Sequence, residues 1–183
     1  MAGLLVLGLV ACGGDSGSGL SEYAAQLEDE VAAMNARLDE IDTQWEEVAS
    51  VDEAQRLWDL RIAARQRFVD HLRAVDPPES ATELHAAGDD IMGRLVEAEA
   101  AMGVLAGEYE TVASLGQIWN TPEGQAARAV DQEAVAICRA AQASFDETAG
   151  REVLADVPWV TSDMKEVIDV VFGCTAEERR TTP

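Results

Sequence analysis

Basic residues are scarce in this 183-residue chain: 13 lysines and arginines stand against 35 aspartates and glutamates, for a formal charge of -22. That balance excludes nucleic acid as a partner, because phosphate backbones are bound by Lys and Arg. It also excludes adhesion to anionic lipid headgroups through charge, and the acidic surface is read as simply solvated. No G-x-S-x-G, S-x-x-K or Gly-rich phosphate loop occurs, so neither a nucleophilic hydrolase nor a nucleotide site is expected. The chain has two histidines, and Phe68 and Thr82 stand where a Glu-x-x-His pair would need a carboxylate. A di-iron bundle site is thereby excluded, and without C-x-x-C-H so is covalent c-type haem. Carboxylate pairs such as Glu46-Glu47, Asp89-Asp90 and Glu177-Glu178 fall on polar faces, without the burial that shifts an acid's pKa for catalysis. The expectation is a protein that is not an enzyme and carries no cofactor and no metal. Aromatics make up 5% of residues, Pro is absent from long stretches and no segment alternates with period two. Abundant Ala beside Leu and Val then points to an all-α chain.

The apolar run at 4–11 is far shorter than the about 20 residues a membrane-spanning helix needs. It fits the apolar part of a secretory signal. Leu9-Val10-Ala11-Cys12 follows, with branched, small and cysteine residues in order. This resembles the lipobox of bacterial lipoproteins. The resemblance implies that 1–11 is a signal peptide, removed before a Cys12 that is then acylated. One acyl chain anchors marginally and two or more hold firmly. Residues 12–20 then read as the lipidated cysteine and a flexible Gly/Ser linker, 21–174 as one folded domain and 175–183 as a frayed tail. Met1-Ala2-Gly3 lacks the Lys or Arg that opens such a signal, which points to a start further upstream or to a weak signal.

About 160 residues remain for the domain, enough for one real core. Tyr23, Leu27, Val31, Met34, Leu38, Ile41, Trp45 and Val48 form a stripe with heptad-like steps. Ser21 is its expected N-cap. The phase breaks near Ser50-Val51-Asp52-Glu53, which has the form of a capping box, so the spacing predicts helices at 21–49 and 51–75. The second carries a broad stripe of Leu57, Trp58, Ile62, Phe68, Val69, Leu72 and Val75. Asp76-Pro77-Pro78 stops it. Ser80 with Glu83 offers another box, opening a third helix whose seam runs from Leu84 through Ile91, Leu95, Ala98, Met102 and Leu105 to Val112 before Gly116. Thr121-Pro122-Glu123 restarts a fourth helix, ended by Gly150, and a short fifth helix is expected at 164–172. The fold class predicted is an antiparallel up-down four-helix bundle, with the short C-terminal helix across one end.

Cys138 and Cys174 are an even pair in an exported chain, with no C-x-x-C spacing. They read as one disulfide, two buried free thiols being the alternative. His71 and His85 flank the Pro-Pro turn and could face each other, with Asp70, Glu79, Glu83 and Asp89 nearby in sequence. A His/His/carboxylate site is conceivable there; the ordinary outcome is a boundary histidine with one hydrogen bond. Arg61 and Arg65, one turn apart, could clamp a carboxylate or phosphate, or pair with neighbouring acids. Trp119 and Trp159 lie in connections and could line one end of the bundle, where a small-ligand pocket would be expected.

Val75-Asp76-Pro77-Pro78 followed by His85, together with Cys138-Arg139-Ala140-Ala141-Gln142 and a late single cysteine, resembles uncharacterised helical bacterial lipoproteins. The resemblance implies an exported, disulfide-closed bundle and no particular substrate. The functional expectation is a lipid-anchored, non-enzymatic interaction or scaffold module of the cell envelope, facing the extracytoplasmic side of the cell membrane or outer membrane. Its partners would be the membrane, through the anchor, and an envelope protein. The alternative is a small-ligand or metal-binding lipoprotein that partners a transporter or sensor.

Overall fold

The computed structural model describes residues 16–149, 167–168 and 170–175. Cys12, the 1–11 leader, Trp159 and nearly all of the 175–183 tail lie outside them. Among the described residues all regular structure is helical: α1 (Ser16–Trp45), α2 (Val51–Ala74), α3 (Thr82–Ala106), the single turn α4 (Val112–Leu115) and α5 (Pro122–Ala149). Short 3₁₀ turns occupy Glu79–Ala81 and Gly116–Asn120. Among the described residues no helix is long and apolar enough to cross a membrane.

Helix α1 starts at Ser16 rather than Ser21, so part of the expected linker is helical. The cause is tertiary. Leu20 is buried, and Gly19 sits against Pro78 of the α2–α3 turn. Packing outweighs the poor intrinsic propensity of a Gly/Ser stretch. The stripe expected along α1 is the one that packs inward: Tyr23, Leu27, Val31, Met34 and Ile41 are buried.

Helix α2 begins as its capping residues predict. Glu53 N–H donates to Ser50 Oγ at 3.2 Å, and Ala49 N–H donates to the Glu53 carboxylate at 3.0 Å. At α3 the expected Ser80/Glu83 box does not form. Ala81 is the N-cap and makes no side-chain bond; the 3₁₀ turn closes instead through Ala81 N–H to Pro78 O at 2.8 Å, with Ala81 fully buried. Helix α3 also ends earlier than the seam suggested, at Ala106 before Gly107. Thr111 then caps a new turn, accepting from Ser114 N–H at 3.3 Å. A side-chain cap inside an apolar repeat resets the helix that the repeat alone would continue. Thr121 opens α5 in the expected way, accepting from Gly124 N–H at 3.1 Å.

The long helices pack as successive neighbours, α1 on α2, α2 on α3 and α3 on α5. Each pair runs antiparallel. Arg61 and Arg67 of α2 reach back to Asp42 and Glu30 of α1, at 2.8 Å each. Arg65 and Arg73 meet Glu99 and Asp89 of α3, at 3.1 and 2.6 Å. Arg94 of α3 meets Glu133 of α5 at 3.1 Å, while Met102 and Ala106 share a core cluster with Ala127.

The C-terminal segment enters the core beside α1, α3 and α5. Val167 and Val171 are fully buried, and Cys174 is disulfide-bonded to Cys138 of α5. Gly88 makes room for it: a Cβ there would collide with the Val171 side chain and lie 3.1 Å from its carbonyl oxygen.

Candidate functional site

Two core clusters share the interior. The larger joins the first half of α1, the second half of α2, the first half of α3, the middle of α5 and the C-terminal segment. The smaller, built on Ala54, Trp58, Met102, Leu115, Ile118 and Ala127, fills the opposite end. A cavity of about 650 Å³ opens beside this second cluster, within the usual size range of small-molecule sites.

Its walls are unusually rich in indole. Trp45 and Trp58 meet edge to face at 5.7 Å, and Trp58 and Trp119 lie 6.4 Å apart at 36°. Such pairs add a modest stabilisation beyond the apolar area they bury. The buried Trp58 N–H has no acceptor among the described residues, so packing alone holds this ring. Trp119 remains 40% exposed, with the Arg128 guanidinium 5.2 Å from its ring centre. The first turn of α5 fixes its place. A Cβ on Gly124 would collide with the Ile118 carbonyl oxygen and lie 2.7 Å from Trp119 Cα. Only glycine lets α5 approach the 3₁₀ turn this closely.

The same cavity is lined by an ionic group. Glu99 of α3 lies between two arginines of α2: its Oε1 accepts from Arg61 Nε at 2.9 Å, and its Oε2 is 3.1 Å from Arg65 Nε. Arg65 is 8% exposed and Glu99 7%. Arg61 also donates to Asp42 Oδ1 at 2.8 Å, and Asp131 of α5 adds to its electrostatic stabilisation. Burial alone would lower the Arg61 pKa; the carboxylates around it outweigh that and leave it raised. Two guanidiniums sharing one buried carboxylate, close to tryptophan faces, make a wall of fixed dipoles and hydrogen-bonding groups. Among the described residues no group of three or more His, Cys, Asp and Glu is placed to hold a metal ion.

Of the residues singled out in the sequence, the fold brings Arg61, Arg65 and Trp119 together at this cavity. The two histidines make separate contacts with α1. His71 Nε2 donates to the Gln26 carbonyl oxygen at 2.9 Å, and His85 Nδ1 is 2.8 Å from the Tyr23 hydroxyl, so each is engaged separately with α1. The seam expected for α3, running from Leu95 through Ala98 to Met102, holds no carboxylate. Glu99 corrects that reading: it lies one turn beyond Leu95, on the buried face. The carboxylate held by Arg61 and Arg65 is this internal one.

His85 has a pH consequence. Burial lowers its pKa, against the opposing charges of Asp89 and Asp76. The neutral ring leaves Nδ1 able to accept from Tyr23, whose own phenol is pushed up to about 12 by burial. The unfolded chain takes up this proton near pH 6.5, before the folded chain does. The contribution of His85 is therefore complete above that pH and is lost as pH falls through the lower folded value. The urea midpoint should fall between about pH 7.5 and about pH 5, and by less in His85→Gln, whose amide still accepts from Tyr23. Equal slopes in the two proteins would remove His85 from the account.

Comparison with protein-family models, with curated proteins and with solved structures finds no match to this chain.

Proposed function

We propose that this chain is a lipid-anchored, extracytoplasmic protein that works by binding a small ligand and catalyses nothing. The four long helices make up an up-down bundle, moored to the cell membrane or outer membrane through an acylated Cys12. The observation that carries the binding reading is the cavity of about 650 Å³ walled by Trp45, Trp58 and Trp119. The geometry of α1 is compatible with the anchor. Only three residues separate Cys12 from Ser16, the first residue of the 30-residue helix. That helix is about 45 Å long, and the cavity lies at its far end beside Trp45. The site would then stand well clear of the lipid and open to water-borne ligands.

The interaction or scaffold reading keeps one specific support, the outward-facing Trp119 at 40% and Val104 at 71% exposure. Both readings are non-enzymatic.

Two measurements test the proposal. Cys12→Ala should move the protein from the membrane to the soluble fraction, and unchanged partitioning would refute the anchor. Three of the four tryptophans line the cavity, so an occupant should shift intrinsic emission. At 100-fold excess over its dissociation constant it should also stabilise the fold by about 2.7 kcal/mol. If a broad library of small molecules left emission and melting unchanged, the interaction reading would take its place.

A further inference from the structure

We infer that the cavity takes a neutral, polyhydroxylated ligand of the carbohydrate class, of about disaccharide or trisaccharide size. This rests on the small-ligand reading above and narrows it by the charges of the wall. Three guanidiniums (Arg61, Arg65 and Arg128) and three carboxylates (Asp42, Glu99 and Asp131) line the cavity, so the lining is balanced.

An anion is disfavoured. The positive charge of Arg61 and Arg65 is already offset by Glu99, with Asp42 also on Arg61. The chain's formal charge of -22 repels anions on approach. A cation is disfavoured for the opposite reason. It would meet the like charge of three guanidiniums, one of which, Arg128, stands 5.2 Å from the Trp119 ring centre. A purely apolar ligand would strip water from the ionic edge and return no hydrogen bond, a desolvation cost without compensation.

A sugar meets each requirement. It brings no net charge to disturb the ion pairs. Each hydroxyl can donate to a carboxylate and accept from a guanidinium. The C–H faces of a pyranose ring are apolar and flat enough to lie on an indole, and Trp119 stands exposed at the cavity to receive one. Asp131 and Arg128, both exposed on α5, supply an acceptor and a donor beside it.

The test is titration of tryptophan emission in the full chain with cellobiose, maltotriose and N,N'-diacetylchitobiose, against phenylacetate and benzyltrimethylammonium. At least one neutral sugar should give a saturable shift. Trp119→Ala should weaken it by at least about tenfold, and Asp131→Asn by several-fold. Melting without ligand is measured alongside, and a variant that keeps a cooperative transition above the assay temperature reports on binding. Saturation by phenylacetate or benzyltrimethylammonium with no response to any sugar would overturn the carbohydrate class and leave the binding reading standing. Silence from all five probes would overturn the carbohydrate class, and silence extending to the broad library would overturn both. A sugar bound equally well by Trp119→Ala would overturn the assignment to this cavity.

Discussion

Glu99→Leu should destabilise the protein by about 3–5 kcal/mol, the usual cost of removing one partner from a buried ion pair. The reason is an ion-pair partner lost from a buried cation. Arg65 is 8% exposed, and Glu99 lies within ion-pair distance of it. Arg61 suffers less, because Asp42 stays within 2.8 Å at the more exposed edge. Urea unfolding of the single variant should show the full loss. The double variant Glu99→Leu/Arg65→Met should recover at least half of it, since a well-packed apolar replacement for a buried pair is often neutral or better. That recovery separates the cost of a broken ion pair from the cost of a disturbed helix. A single variant losing less than about 1 kcal/mol would mean that the Glu99 pairing with Arg61 and Arg65 contributes little, and the account of the wall would fail.

This ion group also explains why parts of the fold were legible in the sequence and the site was not. The stripe of α2 looked broad and wandering when only apolar residues were counted. With the arginines admitted, Ala54, Trp58, Arg61, Arg65, Phe68 and Leu72 follow one another at steps of four, three, four, three and four. The seam was regular all along; two of its members are cations. In α3 the same substitution occurs at Glu99, between Leu95 and Met102. An apolar-only reading slides to Ala98 and Leu105, which are only partly buried. Burial of a charge depends on a partner on another helix, and a one-dimensional pattern cannot supply that partner. The signal that could have found it is the coincidence of two gaps, basic in one stripe and acidic in the next, at the same height in an antiparallel pair.

Local chemistry was legible where it closes on itself. Ser50 with Glu53, and Thr121 with Gly124 N–H, cap helices through residues three apart. The start of α1 and the end of α3 depend on remote contacts instead. Leu20 finds burial, Gly19 lies against Pro78, and Gly107 lies close to Gln55 of α2. The cavity belongs with these remote features. Trp45, Trp58 and Trp119 come from three separate elements, and their shared wall exists only once α5 has closed on the 3₁₀ turn through Gly124. Trp58, Arg61 and Arg65 lie along one face of α2 next to the cavity. The residues that stabilise this end are thus also the ones a ligand would touch, and substitutions meant to test binding are best placed at exposed Trp119 and Asp131.

Reducing the Cys138–Cys174 bond should cost about 4 kcal/mol, the chain-entropy value for a loop of this length. The two cysteines are 36 residues apart in sequence. Most of that effect falls on the unfolded chain, which gains conformations when the cross-link is cut. The folded state keeps its own reasons to hold the segment. Val167, Val171 and Phe172 stay buried, and Val171 still seats over Gly88. The far-ultraviolet circular dichroism of the reduced protein at ambient temperature should therefore remain native, while the urea midpoint drops sharply. A loss of about 4 kcal/mol is a large share of the 5–15 kcal/mol that stabilises an ordinary domain. In a Trp159→Phe background, which removes the indole inside the closed loop, tryptophan emission should be unchanged before unfolding begins, because the other three indoles line the cavity beside the other core. Cys138→Ala/Cys174→Ala should reproduce the reduced protein. Two thiols alkylated in the untreated native protein would disprove the bond. An emission shift on reduction in the Trp159→Phe background would show that the two ends of the core are coupled, so that the cavity's shape depends on the C-terminal staple at the opposite end.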